Sequence, residues 1–191
     1  MKERPILMNG DMVRALLRGQ KTQTRRPVMP QPFRTPPGTF HGWEWERHGK
    51  RDIWIAEAHL KCCPFGQPGD RLWVRENFAD PVQVAVPFFR ADIEDVFASN
   101  RFIKSVKWTP AIHMPRRLSR ITLEITDISA RHVQDITEED AWAEGMRGND
   151  ARCTFAHLWD TLYASRGLGW AANPWVWVVS FRRLPMNKEA A

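Results

Sequence analysis

The sequence predicts an α+β fold, a small β-barrel of mixed or antiparallel strands with peripheral helices. Three observations support this prediction. Several short apolar segments are separated by turn residues, only three segments show helical spacing, and no Gly-rich phosphate-binding loop of a doubly wound parallel sheet occurs in the sequence. The 191 residues are enough for one such domain.

Alternation and turn chemistry indicate the strands. Residues 67–70 read Gln-Pro-Gly-Asp, a turn in which proline presets φ and glycine supplies a positive φ, and they lead into a strand at 71–75. Residues 119–126 alternate between apolar and polar, so their apolar side chains should face inward. The apolar segment 174–184 predicts a final strand buried on both faces. Further strands are predicted near residues 5–8, 52–58 and 84–90, whereas residues 29–49, rich in Pro, Gly, His and aromatic residues, are expected to be irregular.

Helical spacing and capping residues indicate three helices. Residues 12–17 place apolar side chains on one face, Asn9 or Asp11 can cap the start, and Gly19 suits a left-handed end. The other two helices are expected to open at a capping box formed by Thr137 and Asp140, and to span residues 154–163.

The composition favours an anionic partner. The net charge is +6 and the pI is about 9.6, which is typical of proteins that bind nucleic acid, although many basic proteins bind none. Most of the ten Trp residues are expected in the core, with one or two available to stack on bases.

Cysteine usage and hydropathy bear on the compartment. Three cysteines, two of them adjacent, do not form a disulfide framework. No apolar run approaches the ~18 residues of a membrane span, and the N-terminus lacks the apolar region of a signal peptide. We therefore expect a cytoplasmic protein without a membrane partner. No metal is expected either, because the Cys62–Cys63 pair with His59 has poor spacing for a tetrahedral site.

The first candidate site is the basic segment 19–26. If it is extended, Thr24 and Arg26 share one face and Lys21 and Arg25 share the other, but a turn near Gly19 could bring Lys21 to Thr24. A threonine hydroxyl is a poor nucleophile alone, and a neighbouring amine of depressed pKa can take its proton. Taken alone, the segment is explained better by a solvated basic loop that binds phosphate or nothing.

The second candidate is the strand at 71–75. Arg71, Trp73 and Arg75 share one strand face, where they could grip a phosphate and stack on a base. The alternative is a half-buried strand in which Arg75 pairs with Glu76 or another carboxylate.

Two further candidates lie later in the chain. The prolines at 110 and 115 fix a loop that presents Trp108 and His113, and His113 could act as a base, bind a base edge or serve a structural purpose. In the helix after residue 137, Glu144 directly precedes Gly145 and is the carboxylate most suited to a specific contact, although a surface position explains it too.

The combination of these segments resembles the ASCH family, which is related to the PUA-like barrels. The motif Gly-x-Lys-Thr-x-Thr-x-Arg after a helix is similar to the family's opening, and Pro-Gly-Asp followed by Arg-Leu-Trp-Val is similar to its next barrel strand. The segments Ile-Thr-x-x-x-Ala-x-x-Glu-Gly and Trp-Val-Trp-Val-Val-Ser-Phe resemble its later short helix and its closing strand. The longer form found here resembles ASCH proteins of bacteriophages and prophages.

The resemblance implies binding of RNA or a modified nucleoside. One bacterial branch with a similar motif hydrolyses the amide of N4-acetylcytidine, and its Lys, Thr and Glu map to Lys21, Thr24 and Glu144. The chain has Glu-Gly-Met where that branch has Glu-Asn-Met. In the implied mechanism, neutral Lys21 deprotonates Thr24, Thr24 attacks the acyl carbonyl, and Glu144 orients Lys21 or shuttles a proton. A neighbouring carboxylate would raise the pKa of Lys21 whereas burial would lower it.

The resemblance leaves three functions open: this amidohydrolase, a non-catalytic RNA-binding module of phage origin, or a ribonuclease. No metal or cofactor is expected. The domain is expected to span residues 1–186, with insertions near 29–60 and 91–107 and a frayed tail at 187–191. The expected substrate-binding residues are Arg26, Arg71, Trp73, Arg75, Glu76, Trp108 and His113.

Overall fold

The computed structural model describes residues 1–35, 43–54, 56, 59–79, 88–93 and 106–185, which form an α+β fold. The helices in this part of the chain are α1 (Gly10–Leu17), α2 (Glu138–Ala143) and α3 (Ala151–Tyr163). The strands in it are β1 (Glu3–Leu7), β2 (Gln23–Pro27), β3 (Phe33–Arg34), β4 (Trp43–Arg47), β5 (Lys50–Ile53), β6 (Arg71–Arg75), β7 (Phe78–Ala79), β8 (Phe88–Phe89), β9 (Trp108–Thr109), β10 (Thr122–His132) and β11 (Trp175–Arg183).

The main sheet has five strands in the order β1-β6-β10-β11-β2. The β1–β6 pair is parallel and the other three pairs are antiparallel, so the sheet is mixed. Within the described residues β1 and β2 are the edges of this sheet and do not pair with each other, so the sheet is not a closed barrel. The edges are nevertheless close, because Arg26 of β2 donates a hydrogen bond of 2.8 Å to the carbonyl oxygen of Leu7 in β1. The sheet is therefore curved strongly enough for one arginine side chain to bridge its two edges.

Both faces of the main sheet are covered. Val13 and Leu16 of α1 belong to a core cluster with Leu72 of β6 and Trp177 of β11. Phe155 and Trp159 of α3 belong to a second cluster that includes two alternate residues of β11, Val176 and Val178. The last strand is thus buried on both faces, as its apolar run predicts.

The region expected to be irregular contains regular structure. A three-stranded antiparallel sheet, β3-β4-β5, lies in the stretch that resembles an insertion. The strand predicted at 52–58 is found earlier, as β5, and residues 55, 57 and 58 lie outside the described part. Of the strand predicted at 84–90, residues 84–87 also lie outside it, and Phe88–Phe89 form β8 in a small sheet with β7 and β9.

The helices begin and end as the capping residues predict. The Asn9 side chain accepts a hydrogen bond from the Met12 amide and caps α1, and Gly19 follows the helix with φ of 70°. Thr137 and Asp140 form a capping box at the start of α2. The third helix begins three residues before the predicted start, where the Asp150 side chain caps it. None of the helices in the described part is long and apolar enough to cross a membrane.

Candidate functional site

A buried ion pair joins the start of β2 to the end of α2. The Lys21 ammonium donates hydrogen bonds to the Glu144 carboxylate (Nζ–Oε2 2.6 Å) and to the Glu144 carbonyl oxygen (2.7 Å). The side chains of Lys21 and Glu144 are 0% and 2% exposed. The backbone fixes this contact locally, because the Thr22 amide donates to the carbonyl oxygen of Ala143 at 2.8 Å. The two residues come together although 123 positions separate them in the chain.

Gly145 makes the close approach possible. It has φ of 95°, a conformation that favours glycine, and directly follows the residue that caps the end of α2. A Cβ at this position would lie 2.9 Å from the Cβ of Ala15 and 3.4 Å from the Cβ of Lys21. A larger residue would therefore push α2 away from Lys21.

Arg25 extends the ion pair into a network. It is buried and contacts the carboxylates of Asp140 (Nη2–Oδ2 2.8 Å) and Glu144 (Nη1–Oε1 3.5 Å), and it also donates to the side chain of Gln23. Two buried cations thus face two carboxylates, which limits the cost of burying these charges. Oε1 of Glu144 is buried and accepts no hydrogen bond in the described part of the chain, so its only polar contact there is the 3.5 Å approach of Arg25.

Burial lowers the pKa of Lys21. Removal from water is the largest effect on this pKa, and it outweighs the neighbouring Glu144 carboxylate, which raises it. The positive charges of Arg26 and Arg25 lower the pKa further. The opposing influences expected from the sequence are therefore resolved in favour of an amine that gives up its proton more readily than an exposed lysine.

Thr24 is buried in β2 next to this network. Its hydroxyl oxygen accepts a hydrogen bond of 2.8 Å from Arg26 Nη1, and not from Lys21, whose hydrogen bonds go to Glu144. Because the charge of Arg26 also acts on Lys21, Arg26 links Thr24 electrostatically to the buried lysine. The guanidinium of Arg26 lies between the Thr24 hydroxyl and the carbonyl oxygen of Leu7.

Arg26 also borders a groove of about 680 Å³ at the gap between the two edges of the sheet. This volume is in the range of small-molecule sites, and the lining is mostly apolar, as is usual for such sites. The described residues that line it are Pro5, Ile6, Leu7, Met8, Asn9, Met12, Arg26, Phe65, Arg75, Asn77, Pro110, Ala111, Ile112, Leu162 and Tyr163. Arg26 thus separates the buried Thr24 from the groove.

Of the other expected substrate-binding residues, Arg75 lines the groove and the remainder do not. Trp73 is buried beneath the guanidinium groups of Arg75 and Arg116, at 4.7 and 6.0 Å from its ring. Trp108 stacks on Phe88 in the small β7–β8–β9 sheet. Arg71 is half-buried on β6 and lies near Glu3. His113 is exposed at the end of the turn whose residues 110–112 line the groove.

Glu76 is held away from the groove by Arg120. Its two carboxylate oxygens accept hydrogen bonds from Arg120 at 2.8 and 2.9 Å, and its side chain is 2% exposed. Burial raises the pKa of Glu76, and Arg120 acts in the opposite direction. Glu76, which is expected from the sequence to bind substrate, therefore has the contacts of a structural ion pair, and its partner is Arg120 and not Arg75, the partner that the alternative interpretation of this strand considers.

We expect Arg120→Met to reduce the free energy of unfolding at pH 7 by about 3–5 kcal/mol, because it leaves the Glu76 carboxylate buried without a partner. Without Arg120 the pKa of Glu76 rises further, so the folded state binds a proton that the unfolded state releases. Stability should consequently fall as the pH rises through that raised pKa, and the loss should be smaller at pH 5 than at pH 7. Urea unfolding at the two pH values measures it.

The exposed pair Arg182–Glu124 offers the matched control, since Arg182→Met should cost about 0–1 kcal/mol at either pH. Equal losses for the two variants would contradict the role given to Arg120.

Sequence reasoning missed Arg25 and Asp140 as members of the site. Alternation did place Arg25 on the strand face of Lys21, but nothing in a single sequence shows that this face is covered by the acidic α2 helix. No group of three His, Cys, Asp or Glu side chains in the described part of the chain is arranged to hold a metal ion.

Comparisons with known proteins add little to this geometry. A scan against protein-family models matches no family, and a search of curated proteins returns no match. Among solved structures, the chain is similar to a DUF984 protein from Enterococcus faecalis V583. The identity is 9% and the TM-score is 0.47, over 100% of this chain and 86% of that one. A likeness of this degree carries no argument about activity, so the function is argued from the site itself.

Proposed function

We propose that the protein is an ASCH-type amidohydrolase that removes the acyl group from N4-acetylcytidine-type nucleosides. The observation that carries the proposal is the buried Lys21–Glu144 pair, in which burial lowers the pKa of Lys21, three residues before the buried Thr24. A general base is more effective when its pKa lies closer to the working pH, and burial moves the pKa of Lys21 in that direction. The finer fold assignment, a PUA-like barrel, belongs to the same proposal and is supported by the closeness of the two sheet edges at Arg26.

The reaction proceeds in two steps. Lys21 accepts the Thr24 hydroxyl proton as the oxygen forms a bond to the acyl carbonyl carbon, and the bond from that carbon to the exocyclic nitrogen breaks as the nitrogen receives the proton. Water then hydrolyses the acyl-threonine ester, releasing acetate and restoring the hydroxyl. Glu144 holds the Lys21 side chain, as the neutral amine before it accepts the proton and as the ammonium afterwards, and Oε1 of Glu144, which accepts no hydrogen bond in the described part of the chain, can accept a proton in transit.

Arg26 has a specific part in this scheme. It donates to the Thr24 oxygen from the groove side, so the acyl group reaches Thr24 only where Arg26 now lies. When the guanidinium turns from the hydroxyl to the acyl oxygen, it supplies a charged donor for the oxyanion that forms there. The same residue then controls access to Thr24 and stabilises the intermediate.

The test is incubation of the purified protein with N4-acetylcytidine, followed by chromatography. The proposal predicts cytidine and acetate in equal amounts, at a rate that does not depend strongly on salt. A folded protein that releases no acetate from this nucleoside, from its phosphorylated forms or from an oligonucleotide that contains it would contradict the proposal.

A non-catalytic RNA-binding protein, or a ribonuclease, is the second candidate. It is favoured by the two arginines that lie over Trp73, Arg75 of β6 and Arg116 of the turn at 116–118, together with the net charge of +6. Oligonucleotide titration distinguishes it from the first candidate, because phosphate contacts make the affinity fall steeply with salt. Chain cleavage in the same samples would identify the ribonuclease.

A further inference from the structure

The groove contains a cation for which the proposed mechanism has no use. Arg75 lines the groove, and among the described residues its guanidinium has neither a carboxylate partner nor a hydrogen bond. Its one contact there is with the ring of Trp73, 4.7 Å away. By contrast, two other arginines nearby have carboxylate partners, since Arg116 pairs with Glu3 and Arg120 pairs with Glu76.

The position of Arg75 relative to Thr24 follows from the strand register. Arg75 is the partner of Leu7 in the parallel β1–β6 pair, and the carbonyl oxygen of Leu7 accepts a hydrogen bond from Arg26. Arg26 in turn donates to Thr24. Arg75 and Thr24 therefore lie on opposite sides of the same β1 residue, with the groove bordering both arginines.

The groove is positively charged. Its described lining includes two arginines and no Asp or Glu, and the other lining residues are uncharged. Asn77 lines it too, and because the side-chain oxygen Oδ1 of Asn77 accepts a hydrogen bond from the Ala111 amide, the side-chain NH₂ group is left to donate. An unpaired guanidinium beside an amide donor is an arrangement that suits a phosphate group.

We propose that Arg75, with Asn77, binds a phosphate of the substrate, so that the preferred substrate is a phosphorylated N4-acylcytidine and not the free nucleoside. The acyl group of this substrate rests on the proposed function, whereas the phosphate site is inferred from the groove alone. The phosphate is either the monoester of a nucleotide or a diester of an RNA chain. In both cases the bound phosphate holds the nucleotide in the groove while the acyl group reaches Thr24 past Arg26.

The first experiment measures binding without turnover. Calorimetry compares the binding of cytidine 5′-monophosphate with that of cytidine, on the unmodified protein and on the variants Arg75→Met, Arg75→Lys and Arg131→Met. Methionine keeps the packing on Trp73 without the charge, and Arg131 is exposed on β10 and does not line the groove. We expect the monophosphate to bind about 10- to 100-fold more tightly than cytidine, an advantage lost in Arg75→Met, partly kept in Arg75→Lys and unchanged in Arg131→Met.

Equal affinities for the two ligands, or an advantage that survives in Arg75→Met, would overturn the phosphate site. Because neither ligand carries an acyl group, this result is independent of the amidase. A protein that prefers the monophosphate through Arg75 but hydrolyses none of the acylated substrates would keep the phosphate site and lose the proposed function.

The second experiment identifies the source of the phosphate. N4-acetylcytidine, its 5′-monophosphate and a short oligonucleotide with one N4-acetylcytidine are compared as substrates by kcat/KM. A higher value for the monophosphate identifies a monoester, and a higher value for the oligonucleotide identifies a diester. Hydrolysis of the free nucleoside as efficiently as both others would overturn the inference and leave the amidase standing.

Discussion

Replacement of Lys21 by methionine is expected to reduce the hydrolysis of N4-acetylcytidine by about 10²- to 10⁴-fold, the usual contribution of a general base. Methionine fills much of the volume of this fully buried side chain but cannot take the Thr24 proton. The measurement is the steady-state rate of cytidine release. Lys61→Met supplies the matched control, because Lys61 is exposed and should be replaceable without loss.

Lys21→Met also leaves Glu144 with one fewer partner, so a lower rate could reflect a weaker fold. The double variant Lys21→Met/Glu144→Leu removes both charges and should recover much of the lost stability, since apolar residues often replace a buried ion pair without a stability penalty. It should remain inactive. Recovery of activity together with stability would show that Lys21 has only a structural part.

Glu144→Gln is expected to reduce the free energy of unfolding by about 3–5 kcal/mol and to move the pH profile of hydrolysis toward lower pH. The carboxylate raises the pKa of Lys21 against the effect of burial, and glutamine removes that contribution, so the pKa falls further. Activity that requires neutral Lys21 then appears at lower pH. The profile of kcat/KM and urea unfolding measure the two effects.

The pH dependence of stability has a definite sign here. The pKa of Lys21 in the folded protein lies below its ordinary value, so between these two values the unfolded chain binds more protons and stability rises with pH. Glu144→Gln lowers the pKa of Lys21 in the folded protein further, so the pH range over which stability rises should extend to lower pH. Glu139→Gln on the same helix is the control, because Glu139 is exposed, and neither the rate profile nor this pH range should move. A profile shifted upward by Glu144→Gln would contradict the assignment of Lys21 as the base.

The elements predicted correctly from the sequence are those whose capping, turn or hydrophobic pattern lies within a few neighbouring residues. The caps of α1 and α2, the turn before β6 and the apolar run of β11 all depend on neighbouring residues, and the structure contains each of them. The Pro and Gly content of the segment that contains β3 and β4 predicts irregular structure and masks the alternation of Trp43 and Trp45 in β4. Its strands pair with each other, and Trp45 is buried in the main core.

Long-range contacts decide the rest of the site. A single sequence does not show that β1 pairs with β6, or that Arg26 reaches the carbonyl oxygen of Leu7 across the two sheet edges. The burial of Arg25 likewise depends on Asp140, which lies 115 residues later. Residue chemistry makes Lys21, Thr24 and Glu144 candidates and the family resemblance combines them into one site, whereas their burial, which controls the chemistry, depends on the folded chain.

The most direct measurement compares Thr24→Ser with Thr24→Val in the cytidine-release assay. Valine matches the shape of the buried threonine and removes only the hydroxyl that Arg26 contacts, whereas serine keeps that hydroxyl. If Thr24 is the nucleophile, the serine variant should retain activity and the valine variant should release cytidine no faster than a sample without protein. A folded valine variant as active as the unmodified protein would contradict the account.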